Sequence, residues 1–161
     1  MEIRLTTYND LNQILDIYKK ARLFMKENNN PTQWKDNRPS TDSIIRDIKD
    51  EHSYVIFDKD KILGVFSFFI GKDIYYDNIY DGNWLNDEEY GVIHKVASSF
   101  KVKGIMNYIL KFAESNAKNI RIDTHKDNKI MQHILEKNGY QRCGIIYVDD
   151  NTPRIAYQKA I

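Results

Sequence analysis

The chain has 161 residues, a length typical of one compact domain, and we expect a single domain over residues 1–161. Its 24 basic and 23 acidic residues leave a net charge of +1, which argues against bulk electrostatic binding to nucleic acid or to an anionic membrane. Cys143 is the only cysteine, which excludes an internal disulfide. The sequence shows neither an apolar leader nor an apolar run of ~20 residues, so we expect a soluble cytoplasmic protein.

The hydrophobic periodicity predicts seven strands and four helices, with no internal repeat. Alternation and β-branched runs predict strands over residues 3–5, 54–57, 62–70, 92–97, 120–124, 143–148 and 154–158. Helical spacing predicts a helix after a capping box at Thr7 and Asp10, a second capped by Ser40 or Thr41, and two more over residues 103–117 and 128–138. Residues 71–90 show neither pattern and are predicted to be irregular.

The predicted order of elements is β-α-α-β-β-β-α-β-α-β-β, which indicates an α/β or α+β fold with helices covering a mostly antiparallel sheet. The β-α-β crossover in the second half predicts that strands 92–97 and 120–124 are parallel neighbours. The C-terminal hairpin has an edge that suits pairing with a second copy, so a homodimer is an open alternative. No spacing of the histidines indicates a metal site.

Three stretches carry a family resemblance: FKVKGIM at residues 100–106, IRIDTHKDN at 120–128 followed by ILEKNGY at 134–140, and WLNDEEYGVIHKVA at 84–97. Together they resemble the GCN5-related N-acetyltransferase (GNAT) superfamily, and in particular a bacterial subgroup of small acetyltransferases. The resemblance covers nearly the whole chain. It implies a central sheet that is splayed in the middle, and acetyl-CoA as co-substrate without a metal.

The resemblance also implies which residues bind the cofactor. In the family, a loop before a helix wraps the pyrophosphate of coenzyme A, and the matching residues are Lys101, Val102, Lys103, Gly104, Ile105 and Met106. Free amides and the dipole at a helix N-terminus attract an anion, which is consistent with that role. The remaining implied contacts are the backbone of Val96, Ala97 and Ser98 to the thioester carbonyl, and Asn128 and Met131 to the pantetheine or phosphate arm. A plain helix N-cap is the alternative role of Asn128.

His94 is the first candidate for the general base, because imidazole removes protons near neutral pH. The open alternatives are Asp123 and His125, or Glu88 and Glu89 acting through water. A structural role is also open for His94, and Asp123 could simply pair with Arg121 or Lys126. Leu135 stands where the family carries a tyrosine acid, so proton donation to the departing thiolate by that route is unavailable.

Residues 71–90 contain four tyrosines, one tryptophan and six acids against one lysine. Aromatic faces and negative charge together suit a cationic amine, so we predict a substrate pocket walled by Trp84, Tyr90 and, from the early helical region, Trp34. The equally open alternative is a solvated acidic loop that Trp84 and Tyr90 anchor to the core.

The sequence therefore predicts an acetyl-CoA-dependent N-acetyltransferase that acts on a primary amine of a small molecule or peptide, by direct attack in a ternary complex. The alternative is a catalytically degenerate, acyl-CoA-binding sensor of the same fold. It is favoured by Leu135 and by Val102 and Met106, which replace small residues of the family motif.

A nucleotide-binding β-α-β protein is disfavoured because the glycine-rich phosphate loops are absent. Cys143, in an apolar strand, is expected to be a buried structural thiol.

Overall fold

A computed structural model describes residues 1–161 and confirms the predicted order of elements. The strands are β1 (Glu2–Leu5), β2 (Ser53–Asp58), β3 (Lys61–Ile70), β4 (Gly91–Ser98), β5 (Asn119–Thr124), β6 (Gln141–Tyr147) and β7 (Pro153–Ala160). The helices are α1 (Leu11–Glu27), α2 (Thr41–Lys49), α3 (Ile105–Asn116) and α4 (Lys129–Lys137). The segment predicted to be irregular contains one short 3-10 turn, Ile74–Tyr76.

The seven strands form one sheet in the order β1-β2-β3-β4-β5-β7-β6. β4 and β5 are parallel, with Gly91 opposite Ile120 and Val92 opposite Arg121, and α3 supplies the crossover that a parallel pair requires. β5 pairs antiparallel with β7 on its other side. The predicted class, a mixed and mostly antiparallel sheet with four helices, is confirmed.

The chain divides into two compact units, and the first comprises residues 1–68 and 94–109. Its core combines α1, α2 and residues of β2, β3 and β4. The buried residues of α1 recur three or four positions apart and so form one face of the helix: Ile14, Ile17, Tyr18 and Ala21. Both predicted caps in this unit are confirmed, because the Ser40 hydroxyl accepts a hydrogen bond from the Ser43 amide and Thr7 forms a capping box with Asp10.

One residue of β4 departs from extended geometry within the first unit. Lys95 has a φ of +53°, a region that residues with a Cβ rarely adopt. Two contacts hold it there: the Tyr18 hydroxyl donates to the Lys95 carbonyl at 2.8 Å, and Lys95 Nζ lies 2.6 Å from Asp47 Oδ2. β4 is therefore locally irregular directly before Val96.

The second unit comprises residues 69–93 and 110–161. Its core contains Tyr76, Tyr90, Val92, Ile146 and Ala156. Cys143 is a buried free thiol, as predicted. No helix anywhere in the structure is long and apolar enough to cross a membrane.

The irregular segment of the second unit, residues 71–90, is fixed to the strand β6. The Tyr80 amide donates to the Ile145 carbonyl at 2.9 Å, and the Ile145 amide donates to the Tyr80 carbonyl at 2.7 Å. Gly82 then approaches so closely that a Cβ there would lie 1.9 Å from the Cys143 carbonyl oxygen. Only glycine allows this approach, so the segment has a defined position despite its lack of regular structure.

Candidate functional site

A cleft of about 440 Å³ opens in the second unit, within the size range of small-molecule sites. The segment 71–90 supplies nearly all of its lining, and β5 supplies Arg121. Three aromatic residues form its walls: Tyr76, Trp84 and Tyr90. Four carboxylates lie around it, all on exposed residues: Asp77, Asp87, Glu88 and Glu89.

The aromatic walls are held by hydrogen bonds as well as by packing. The indole of Trp84 donates to the Tyr76 carbonyl at 2.9 Å, and the Tyr90 hydroxyl accepts from the Asp73 amide at 3.0 Å. The rings of Tyr76 and Trp84 lie 5.2 Å apart. Trp84 and Tyr90 thus line the cleft and also anchor the segment.

Arg121 lies beside these walls and is only 4% exposed. Its guanidinium carbon is 4.1 Å from the centre of the Trp84 ring and 4.0 Å from that of Tyr90. Nη2 donates to the Asn86 carbonyl at 2.8 Å, while the buried Nε has no hydrogen-bond partner. Burial lowers the pKa of Arg121 from its ordinary value, because desolvation disfavours the charged form.

A buried amide network fixes the end of the segment on β5 and β7. Gln158 is fully buried, donates to Asn119 Oδ1 at 3.0 Å and accepts from the Leu85 amide at 3.0 Å. Asn86 donates to the same Asn119 oxygen at 2.8 Å, and Asn119 donates to Glu88 Oε2 at 3.2 Å. The sequence does not predict this network, because isolated amides on strands give no sequence signal of their own.

Asp123, one of the predicted catalytic residues, is bonded to a residue of the cleft. The Tyr76 hydroxyl donates to Asp123 Oδ2 at 2.7 Å. Burial raises the pKa of Tyr76 far above its ordinary value, and the nearby charges of Asp123 and Asp73 raise it further. The phenol is therefore protonated at neutral pH and holds the carboxylate in one orientation.

His125 lies in the turn between β5 and α4. Its Nδ1 accepts a hydrogen bond from the Asp127 amide at 3.0 Å, and Gln132 Nε2 donates to the His125 carbonyl at 3.2 Å. Burial lowers the pKa of His125, and the positive charge of Arg154 lowers it further. These contacts brace the turn. The other predicted histidine, His94, is half-buried on β4 in the first unit.

In the first unit, the predicted cofactor loop joins β4 to α3. Ser98 Oγ accepts from the Phe100 amide at 3.0 Å, and Lys101, Val102 and Lys103 are exposed. Gly104 has a φ of +82°, with no atom within 4 Å of the position that a Cβ would occupy. Ile105 and Met106 are buried. The bulk of Met106, unusual for the family motif, is therefore in the core and not in the open loop.

The remaining predicted residues separate between the two units. Trp34 packs against the core of the first unit, with its ring 5.8 Å from that of Tyr18. In the second unit Asn128 is the N-cap of α4 and accepts from the Met131 amide at 3.1 Å. Leu135 is fully buried. No group of three or more His, Cys, Asp or Glu side chains is arranged to hold a metal ion.

Comparison with known proteins identifies the family. The family model described as "Acetyltransferase (GNAT) family" matches residues 11–140. The chain belongs to this family. A GNAT-family acetyltransferase from Streptococcus agalactiae 2603 is 33% identical with a TM-score of 0.89, over 99% of this chain and 95% of that one. A putative acetyltransferase from Staphylococcus aureus Mu50 is 27% identical with a TM-score of 0.70, over 99% of both chains.

This acetyltransferase also shares its fold with more distant structures. The NatC complex bound to Gag peptide and CoA contains a chain that is 13% identical with a TM-score of 0.65, over 100% of this chain and 99% of that one. A search of curated proteins gave no significant match.

Proposed function

We propose that this acetyltransferase moves an acetyl group from acetyl-CoA to a primary amine of a small molecule. The observation that carries the proposal is the cleft of the second unit, where aromatic walls and four carboxylates surround a volume suited to a small ligand. Negative charge raises the local concentration of a cationic amine, and aromatic faces bind ammonium groups. A peptide amine is a weaker candidate, because the cleft has the size of a small-molecule site.

Acetyl-CoA is proposed as the donor because the family uses it and because the loop before α3 suits its pyrophosphate. Lys101 and Lys103 are exposed there, and the open space at Gly104 allows close approach to the backbone. The backbone of Val96, Ala97 and Ser98 is proposed to bind the thioester carbonyl. These residues come directly after the irregularity at Lys95. Asn128 and Met131 keep their proposed contacts with the pantetheine or phosphate arm, beside the capping role of Asn128.

The proposed step is direct attack in a ternary complex. The bound ammonium group first loses one proton to solvent. The neutral amine nitrogen then forms a bond to the acetyl carbon, the carbon–sulfur bond breaks, the nitrogen loses its second proton to a base, and coenzyme A leaves as the thiolate. Asp123 is the base that we favour, because the Tyr76 hydroxyl orients it and Tyr76 lines the cleft. His94 is the alternative base. Leu135 has no proton to give, so the thiolate leaves without a tyrosine acid, which its moderate basicity permits.

A steady-state thiol-release assay tests the proposal, with acetyl-CoA and a panel of diamines, amino acids, aminoglycosides and peptides. Saturable release of coenzyme A that depends on both substrates, with acetylated amine found by mass spectrometry, is the expected result. Binding of acetyl-CoA without turnover of any amine would instead support the acyl-CoA-binding sensor, the function that the apolar Leu135 favours.

A further inference from the structure

We propose that the acceptor carries a carboxylate as well as an amine, as an amino acid does, and that Arg121 binds the carboxylate. This inference deepens the proposed function and rests on it. Three observations in the second unit carry it: the burial of Arg121, the set of groups that contact it, and its position on the cleft with an acidic rim.

Arg121 is a buried cation without an anionic partner. The guanidinium contacts the Asn86 carbonyl, the ring of Trp84, and the ring and hydroxyl of Tyr90, and no carboxylate forms an ion pair with it. Buried charges in proteins are normally paired, because desolvation disfavours an isolated ion. By contrast Lys95, which is more exposed, has its carboxylate partner in Asp47.

The aromatic contacts orient Arg121 and leave some of its donors unused. A guanidinium carries five N–H groups in one plane, and their fork matches a carboxylate. The Asn86 carbonyl and the Tyr90 hydroxyl accept hydrogen bonds from the guanidinium, and Nε has no partner. The side chain is thus fixed in place with hydrogen-bonding capacity left over, on the lining of the cleft.

The same cleft offers the opposite charge at its exposed side. Asp77, Asp87, Glu88 and Glu89 are exposed around it with a single lysine, Lys72, whereas Arg121 is buried beside the aromatic walls. A simple diamine would satisfy the acidic rim and leave Arg121 unpaired. A ligand with both an ammonium group and a carboxylate satisfies both, and the volume of about 440 Å³ accommodates an amino acid.

Matched substrates test this on the unaltered protein. Turnover is measured for several amino acids, each compared with two analogues. The carboxamide of the amino acid keeps its shape and removes the negative charge, and the decarboxylated amine lacks the carboxylate altogether. We expect kcat/KM for the amino acid to exceed both others by at least about tenfold, the effect of one charge-assisted hydrogen bond. Equal values across each set, or a preference for the decarboxylated amine, would overturn the inference.

Binding separates this inference from the proposed function. Amino acids are expected to raise the melting temperature more than their carboxamides do, in the presence of coenzyme A and whether or not turnover occurs. Turnover of amines without any such preference contradicts the amino-acid inference alone. Amino-acid binding without turnover contradicts the proposed function alone.

Variants of Arg121 give a second, independent result. Arg121→Met is expected to abolish the preference for amino acid over carboxamide, while Arg121→Lys retains part of it because the charge remains. Arg142→Met, which removes an exposed arginine outside the cleft lining, is the matched control and should keep the full preference. An Arg121→Met protein that folds and keeps the preference overturns the inference. If that variant does not fold, the substrate comparison on the unaltered protein decides.

Discussion

Tyr76 shows how much a single residue contributes to the candidate site. Its hydroxyl orients Asp123, its carbonyl accepts the indole N–H of Trp84, and its ring packs against Trp84 and Tyr90. In the sequence it is one of four tyrosines in an irregular segment, and nothing local distinguishes it from Tyr75 beside it. Burial does: Tyr76 is 1% exposed and Tyr75 is 40% exposed.

Replacement of Asp123 tests the proposed base. Asp123→Asn removes the proton acceptor, and we expect kcat to fall by about 100-fold or more, the usual contribution of general base catalysis. Tyr76→Phe keeps the carboxylate and removes only its hydrogen bond, so a smaller loss is expected. KM for acetyl-CoA should stay unchanged in both variants.

Asp60→Asn, at an exposed turn of the first unit, is the control for the loss of a carboxylate. Steady-state kinetics on the three variants give the comparison. A kcat for Asp123→Asn within about twofold of the unaltered enzyme would transfer the role to His94, since general bases contribute far more than that.

His125 predicts a pH dependence of stability. Its pKa in the folded protein is lower than the ordinary value of 6.5, first because of burial and then because of Arg154. The unfolded chain therefore binds more protons than the folded chain between those two pKa values, so the free energy of unfolding falls as the pH is lowered through this range. The contribution is fully present above the unfolded pKa, where both states are neutral.

Urea denaturation from about pH 7 to about pH 5 measures this slope, since the ordinary histidine pKa lies between these limits. His125→Gln should show a shallower fall in stability than the unaltered protein. His133→Gln, at an exposed position on α4, should leave the slope unchanged. A His125→Gln slope as steep as that of the unaltered protein would mean that the histidine titrates alike in both states.

Among the elements, β5 positions two of the polar side chains, Arg121 and Asp123. Arg121 and Asp123 are two residues apart, so they lie on the same face of the strand, opposite Ile120 and Ile122. The cleft receives Arg121, and Tyr76 bonds to Asp123. His125 follows the strand and belongs to the turn before α4. The alternation visible in the sequence thus places Arg121 and Asp123 on one face of the strand, whereas His125 lies beyond the strand.

The segment 71–90 depends on Gly82 for its place against β6. Gly82→Ala would set a Cβ 1.9 Å from the Cys143 carbonyl oxygen, which no side-chain movement can relieve. We expect displacement of the segment, a lower melting temperature, and a rise in KM for the amine with little change in KM for acetyl-CoA. Differential scanning fluorimetry and the thiol-release assay measure these effects.

Asn78→Ala, at an exposed residue of the same segment, is the matched control and should behave like the unaltered protein. If Gly82→Ala kept both the melting temperature and the amine KM, the segment would not owe its position to this close approach.

For the whole molecule, binding of acetyl-CoA should appear as a gain in stability. A ligand at 100 times its Kd stabilises the folded state by about 2.7 kcal/mol, which for a chain of this size corresponds to a rise in melting temperature of about 5–10 °C. Gly104→Glu should abolish this rise, because it adds a negative charge where we propose that the pyrophosphate binds.

Gly104→Ala separates charge from backbone strain. Both variants place a Cβ at a φ of +82°, so both should lower the melting temperature without ligand by a similar amount. Only the glutamate should remove the response to acetyl-CoA. An unchanged response in Gly104→Glu would show that the pyrophosphate does not bind at this loop.

Much of the fold could be predicted from the sequence, because its signals are local. The apolar periodicity of α1, the cap at Ser40 and the alternation along β5 each depend on neighbours within a few residues. The order of elements and the motifs at residues 84–97 and 120–140 indicate the family for the same reason. The acidic and aromatic character of residues 71–90 was also visible as composition.

Tertiary structure alone decided which of these side chains meet. Arg121 is distant in sequence from Trp84 and Tyr90, Asp123 is distant from Tyr76, and Gln158 is distant from Leu85. Periodicity assigns a residue to a face of its own strand but does not determine which segment covers that face. Arg121 is a candidate ligand-binding residue because it is buried without a carboxylate partner. This property arises only when those remote groups pack around the side chain.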